Sequence, residues 1–320
     1  SRVRKSPFYD ATISHGVKQF SVYNHMYMPT SYGDPLAEYE ALTEKVSIWD
    51  VAVERQVEIV GPDALELVEY LSTRGMRSCK EGRSRYTPIC DHKGILINDP
   101  ITLCLEKDRY WMSIADGDLL LWAQAISSER NLDCDVFEPE VSPLAVQGPK
   151  ADQTMSDLLG EWVMDIPFFG FVDTKIDGIP FLICRSGWSG QGGFELFLTD
   201  ESKGVDLWER VWEAGLKYGI HPGTPNAVER IESELLSYRA DCAASATPLE
   251  LGLERFMNLE REDHFIGKEA LLAEKSRGPS RRLVKILLSG EPLSAPNEEP
   301  WPAFDRSENK IGEIRVAAWS

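Results

Sequence analysis

One short pattern occurs twice in the chain, as Val57-Glu-Ile-Val-Gly-Pro-Asp-Ala64 and as Pro143-Leu-Ala-Val-Gln-Gly-Pro-Lys-Ala151. In each, apolar and β-branched residues that favour a strand run into Gly-Pro. The glycine frees the backbone for a sharp turn, the proline pre-sets a helical φ, and an alanine follows in the first helical turn. Strand, Gly-Pro and helix at both places suggest two similar α+β halves.

The remaining periodicity fits around these anchors. Asp34-Pro35 opens a helix, an N-cap acid followed by proline at the first turn. Trp49 to Val60 alternates like one strand. Arg85–Cys90 and Ile95–Leu105 read as a hairpin turned by Asp91-His-Lys-Gly94, and Phe171–Arg185 as a second turned at Asp177-Gly178. Helices are expected near 117–127, 204–216 and 224–236. A polar linker at 276–281 leads to strands at Leu283–Leu288 and Ile311–Ala318, where the pattern breaks off in mid-module at Trp319-Ser320.

Charge excludes several functions. Asp and Glu number 52 against 34 Lys and Arg, a net charge of −18. Such a surface repels phosphate backbones and anionic membranes, so neither nucleic acid nor membrane is an expected partner. No run of 18 apolar residues offers a transmembrane helix, and no signal core follows the basic start. The six cysteines are scattered without a C-x-x-C pair, which argues against a zinc site or redox dithiol and for reduced thiols in a cytoplasmic protein. No metal is expected.

Two places interrupt the packing logic. Ser186-Gly-Trp-Ser-Gly-Gln-Gly-Gly193 leads directly into Phe194-Glu195. The glycines either let backbone approach a ligand closely, with Trp188 as a flat wall, or form a hairpin with a core Trp and a surface Glu. The spacing is not that of a phosphate loop. Asn98-Asp99-Pro100 breaks an otherwise apolar strand; an Asp there is either a turn or a site. Arg230, Glu232, Tyr238 and Asp241 form a third polar group, and the five histidines show no metal spacing.

Arg185-Ser-Gly-Trp-Ser-Gly-Gln-Gly-Gly-Phe-Glu195 resembles the R-[ST]-G-[YW]-[ST]-G-x-x-G-[FY]-E signature of the aminomethyltransferase family, which holds the glycine-cleavage T-protein and folate-dependent demethylases. Gly94-Ile-Leu-Ile-Asn-Asp99, Val146-Gln-Gly-Pro149, Arg230-x-Glu232-x5-Tyr238-x2-Asp241, Thr247-Pro-Leu-Glu250 and Phe265-Ile-Gly-Lys-Glu269 are similar to further family motifs, in order, from about residue 6 to the end. The chain departs from the T-protein where that protein has Phe-Ala-Gly-Trp and Ser-His-Met-Gly. Here Tyr23-Asn-His-Met26 and Ala52-Val-Glu-Arg55 stand instead, with Asn226 for an arginine. In these places it resembles the branch that demethylates dimethylsulfoniopropionate.

The resemblance implies an α+β, T-protein-like fold of two interleaved halves around a central folate pocket, with a truncated C-terminal β module. The expected boundaries are 1–50 with 141–225 for the first half, 51–140 for the second, 226–277 for a helical connection and 278–320 for the module. Tetrahydrofolate is the implied cofactor, with Glu195, Tyr86, Trp188, Ser113 and Arg230 binding it and Asp99 as the catalytic carboxylate near N5. A carboxylate's two oxygens match the adjacent N3–H and 2-amino donors of a pterin, which suits Glu195. The expected partner is a small onium methyl donor, with Tyr23, Tyr27 and Trp188 as a cation-binding wall and Arg55 for the donor's carboxylate. Ordinary core packing is the other reading of Tyr23 and Tyr27. The alternatives are aminomethyl transfer from a lipoyl carrier and a non-enzymatic folate-binding protein of the same fold.

Overall fold

The computed structural model describes residues 2–293, 297 and 299–319. Both copies of the repeated pattern form the expected junction. Strand Gln56–Val60 turns through Gly61 into helix Ala64–Leu71, and strand Ser142–Gln147 turns through Gly148 into helix Ala151–Leu159. Gly61 sits at φ +136° and Gly148 at φ +121°. A Cβ at either would lie 2.7 Å from a carbonyl oxygen, of Asp133 and of Lys45 respectively. The chain turns against neighbouring backbone, and only glycine allows that approach.

Each junction belongs to its own sheet. A five-stranded antiparallel sheet has the spatial order Asp135–Phe137, Gln56–Val60, Arg109–Ser113, Ile101–Glu106, Arg83–Tyr86. A six-stranded sheet has the order Phe171–Ile176, Ile179–Cys184, Gly193–Leu198, Ser142–Gln147, Ser47–Asp50, His221–Pro222, antiparallel except for the last pair. Helices cover the outer face of each. Leu67, Leu71 and Leu119 pack on Tyr110 and Met112; Leu207, Trp208 and Val211 pack in the core that holds Phe181, Phe194 and Leu196. Because side chains alternate along a strand, the opposite faces carry Leu103 and Trp111 from one sheet and Leu182 and Phe197 from the other. These residues form one buried cluster, with Trp111 and Phe197 at 6.4 Å between ring centroids, so the sheets meet face to face.

Four expectations need correction. The alternation from Trp49 to Val60 is not one strand: Ser47–Asp50 lies in the six-stranded sheet and Gln56–Val60 in the five-stranded one. Residues 51–55 cross between them in a turn closed by the Glu54 N–H on the Val51 carbonyl at 2.9 Å. The apolar pattern runs through the crossing because its residues are buried too, Ala52 and Val53 in the core beneath the six-stranded sheet's helices and Val51 against Leu42, Trp49 and Ala145. The hairpin at 85–105 is broken into two ladders, Arg83–Tyr86 on Ile101–Glu106 and Ile89–Cys90 on Leu96–Asn98, by Pro88 and Pro100, which offer no N–H. The late helix spans only Ala227–Glu232, capped by the Asn226 side chain, which accepts from the N–H groups of Val228 and Glu229. Among the described residues Leu283–Leu288 pairs with no strand; the C-terminal ladder joins Trp301–Phe304 to Lys310–Ile314 instead. Within that stretch residues 294–296, 298 and 320 lie outside the described residues.

Candidate active site

Glu195 occupies an interior strand, opposite Ala145 on one side and Cys184 on the other. Phe194 and Leu196 point to the helix-side core, so Glu195 and Phe197 point toward the second sheet. The residue is 7% exposed and accepts a hydrogen bond from the Ser186 hydroxyl. Burial holds its carboxyl above the ordinary range, against the pull of Ser186.

Asp99 sits in the break between Leu96–Asn98 and Ile101–Glu106. Asn98, fully buried, holds that break. Its amide donates to the Ala115 carbonyl at 3.0 Å, and its oxygen accepts from the N–H groups of Ala115 at 3.1 Å and Asp99 at 3.0 Å. The Tyr86 hydroxyl donates to the Asp99 carboxylate at 2.8 Å. Burial pushes the Asp99 carboxyl up to about 7; Tyr86 and the Asp99 N–H oppose the shift, and the charge of Asp241 adds to it. The polar interruption of this strand is thus a built feature.

Glu54, in the crossing between sheets, is the third carboxylate. It is half-buried, and among the described residues its side chain has no hydrogen bond or ion pair. Burial raises its carboxyl well above the usual range, and the charges of Glu195 and Asp99 raise it further. None of the three has an ion pair with a lysine or arginine among the described residues. Reading the sequence misses Glu54 because it lies inside an apparent strand; the Glu-Arg pair amid apolar residues is the signal that was available.

Tyr23 joins this group. It ends strand Gln19–Tyr23, whose hairpin with Met26–Ser31 turns at Asn24 and His25, both in the left-handed region. The Asn24 side chain donates to the Val53 carbonyl at 2.9 Å and accepts from the Gly117 N–H at 3.0 Å, which pins the hairpin tip to the five-stranded half. Burial pushes the Tyr23 hydroxyl up; the Asp116 backbone opposes this, and the charges of Glu54, Asp99 and Asp116 add to it. Tyr27 is placed elsewhere. It pairs across the ribbon with Val22 while Tyr23 pairs with Met26, so the two tyrosines occupy opposite faces. Tyr27 packs on Tyr9 and Phe20 at 5.8 and 5.9 Å between centroids.

The other expected residues are engaged by the protein itself. Trp188 donates its indole N–H to the Leu236 carbonyl at 3.2 Å, and the Arg230 guanidinium lies 5.7 Å over its ring. Arg230 is buried and paired with Asp241 at 2.8 Å. Ser113 accepts from the Gln56 amide at 2.9 Å. Arg55 is held by the Glu138 carboxylate through two nitrogens. The glycine-rich segment also has an internal partner. A Cβ at Gly187 would lie 2.0 Å from the amide nitrogen of Gln147, and one at Gly193 would lie 2.1 Å from the Val146 carbonyl. Those two glycines make room for Gln147, a residue of the repeated pattern that reads only as strand.

A family model described as the GCVT N-terminal domain matches residues 8–261. Dimethylsulfoniopropionate demethylase DmdA of Ruegeria pomeroyi is 42% identical over 319 residues, covering 100% of this chain and 86% of that protein. An aminomethyltransferase of Desulfitobacterium hafniense is 30% identical over 292 residues, covering 89% of the chain and 79% of the relative. The crystal structure of glycine cleavage system aminomethyltransferase T from Bartonella henselae has the same fold, with a TM-score of 0.83 and 23% identity over 98% of this chain and 85% of that one. The chain belongs to the GCVT family of aminomethyltransferases and related demethylases. It is an enzyme, and tetrahydrofolate is the family's cofactor. The donor set fits that group: Glu195 spends one acceptor site on Ser186 and keeps others for adjacent N–H donors.

Proposed function

We propose that this enzyme moves a methyl group from a small onium donor, best fitted by dimethylsulfoniopropionate, to N5 of tetrahydrofolate. The observation that carries the reading is the group of Glu54, Asp99 and Glu195. Three carboxylates raised by burial, Glu54 further by the charges of the other two, with no cation paired to them among the described residues, favour ligands that bring positive charge and N–H donors. A sulfonium and a pterin together do so. The demethylase name of the relative at 42% identity supports the same donor.

Tetrahydrofolate supplies a nucleophilic amine as methyl acceptor. Glu195 would hold the pterin's N–H donors, with Tyr86 and Trp188 as walls and Ser113 and Arg230 as the supporting polar frame. Asp99, oriented by Tyr86 and Asn98, would stabilise the positive charge that develops on the acceptor nitrogen as the methyl leaves sulfur; the thioether would leave neutral and the N5 proton would be released. Tyr23 presents its ring to the donor cation. Arg55, whose Nε and Nη2 hold Glu138, has Nη1 left for a donor carboxylate. The fold's main contribution is alignment in a dry site.

The test is turnover of the purified enzyme with tetrahydrofolate and, separately, dimethylsulfoniopropionate, a quaternary ammonium donor and aminomethyl-lipoyl carrier protein. Formation of 5-methyltetrahydrofolate with the sulfonium is expected. Methylenetetrahydrofolate and ammonia from the carrier, with no reaction of either onium compound, would transfer the assignment to aminomethyl transfer.

A further inference from the structure

A cavity rich in arginine lies beside strand Arg83–Tyr86 of the five-stranded sheet. It has a volume of ≈ 360 Å³ and is lined by Arg74, Arg77, Ser78, Arg85, Asn258 and Arg261, with Glu69 and Asp263. The two carboxylates are spoken for: Glu69 pairs with Arg261, and Asp263 with Arg77 at 3.6 Å. Arg74 and Arg85 have no carboxylate partner among the described residues. Arg85 donates to the Gly75 carbonyl at 2.6 Å and the Ser78 hydroxyl at 3.1 Å, and Arg74 makes a 3.4 Å contact with the Tyr86 carbonyl. Burial and the charge of Arg85 both lower the Arg74 pKa. In a chain of net charge −18, two half-buried guanidinium groups left facing one another are a local cost that an anion would remove.

A second group senses this field. The half-buried thiol of Cys79 is lowered to about 7, first by its hydrogen bond with Cys104 and then by the charges of Arg85, Arg83 and Arg74, against the effect of burial. The cavity also adjoins the site. Tyr86, whose carbonyl meets Arg74, gives its hydroxyl to Asp99, and the lining residue Asn258 follows shortly after Phe256, which packs on the Tyr86 ring at 4.8 Å.

We propose that the cavity formed around Arg74 and Arg85 binds a multivalent anion of carboxylate or phosphate type, carried on the glutamate end of the folate or free in solution. The first source rests on the folate reading above; the second does not. The experiment compares tetrahydrofolate bearing one and several γ-linked glutamates, and citrate and inorganic phosphate alone, by calorimetry on the wild type and on Arg74→Gln and Arg74→Glu. Arg74 is chosen because it makes only the one long contact. If the folate carries the anion, the longer tail binds about tenfold tighter in the wild type, and both variants lose that gain while keeping monoglutamate affinity. If the anion is free, citrate or phosphate binds the wild type and neither variant, with equal affinity for both folates. In either case the occupied cavity slows alkylation of Cys79 at neutral pH, read by mass spectrometry. Arg74→Glu, which gives Arg85 a partner, melts no lower than the wild type. Equal binding of both folates with no binding of citrate or phosphate, or anion binding that survives in both variants, overturns the proposal.

Discussion

Asp99 carries the sharpest consequences at the scale of single residues. Its folded-state carboxyl is raised to about 7, well above an unfolded aspartate near ~4. The contribution to stability is therefore present at low pH and is lost as pH rises through the interval up to about 7, where the folded protein must release a proton it holds more tightly than the unfolded chain. Glu54 and Glu195 act in the same sense. Thermal melts of the ligand-free enzyme should fall between about pH 4 and 7, by roughly 2–4 °C per kcal/mol lost, and Asp99→Asn should flatten that fall. The same substitution should leave folate affinity near normal and slow single-turnover methyl transfer on the order of 10²-fold. An unchanged single-turnover rate would make Asp99 structural only. Glu195→Gln replaces one acceptor oxygen by an amide that faces a pterin donor. Calorimetry should show tetrahydrofolate binding weakened by about 1.5–3 kcal/mol, roughly 10- to 150-fold.

Elements are set by backbone demands that single residues announce. Gly148 and Gly178 both have positive φ, at +121° and +83°. A Cβ at Gly178 meets nothing within 4 Å, whereas one at Gly148 lies 2.7 Å from the Lys45 carbonyl and 3.0 Å from that of Leu42. Gly178→Ala should therefore cost only the left-handed backbone penalty, about 1–2 kcal/mol, and Gly148→Ala about 3 kcal/mol or more, seen as a clear gap in denaturant midpoint. The repeated Gly-Pro junction was legible from sequence because its demand is local, and so was the turn at Asp177-Gly178. The crossing at 51–55 was not. Its residues keep strand-like alternation while the chain changes sheets, and Glu54 was hidden with it. The strand expected at Leu283–Leu288 failed for a related reason: apolar alternation names a strand only when another strand is there to pair with it. Tyr23 and Tyr27 read alike in the sequence as aromatic candidates for a cation, and only the register separates their faces.

For the molecule as a whole, a net charge of −18 implies self-repulsion that salt relieves. Raising NaCl from about 0.02 to about 0.5 M should raise the melting temperature, since the Debye length falls below typical charge spacings; a lower melting temperature in salt would mean that attractive ion pairs outweigh the repulsion. The sheet composition bears on a different question, the order in which the protein is made. Every strand of the five-stranded sheet lies between Gln56 and Phe137, so that sheet has all its strands as soon as this contiguous stretch has emerged from the ribosome. Strand Ser47–Asp50 is synthesised earlier, but its neighbours are Ser142–Gln147 and His221–Pro222. At about 5–20 residues per second it waits roughly 5–20 s for the first of them. During that wait its apolar residues Ile48 and Trp49, fully buried in the finished protein, have no sheet to join. A nascent chain stalled once residue 137 has emerged from the ribosome, before Ser142–Gln147 does, should thus protect the five-stranded sheet's amides from exchange while leaving strand Ser47–Asp50 open, and this is the interval in which a chaperone would be needed.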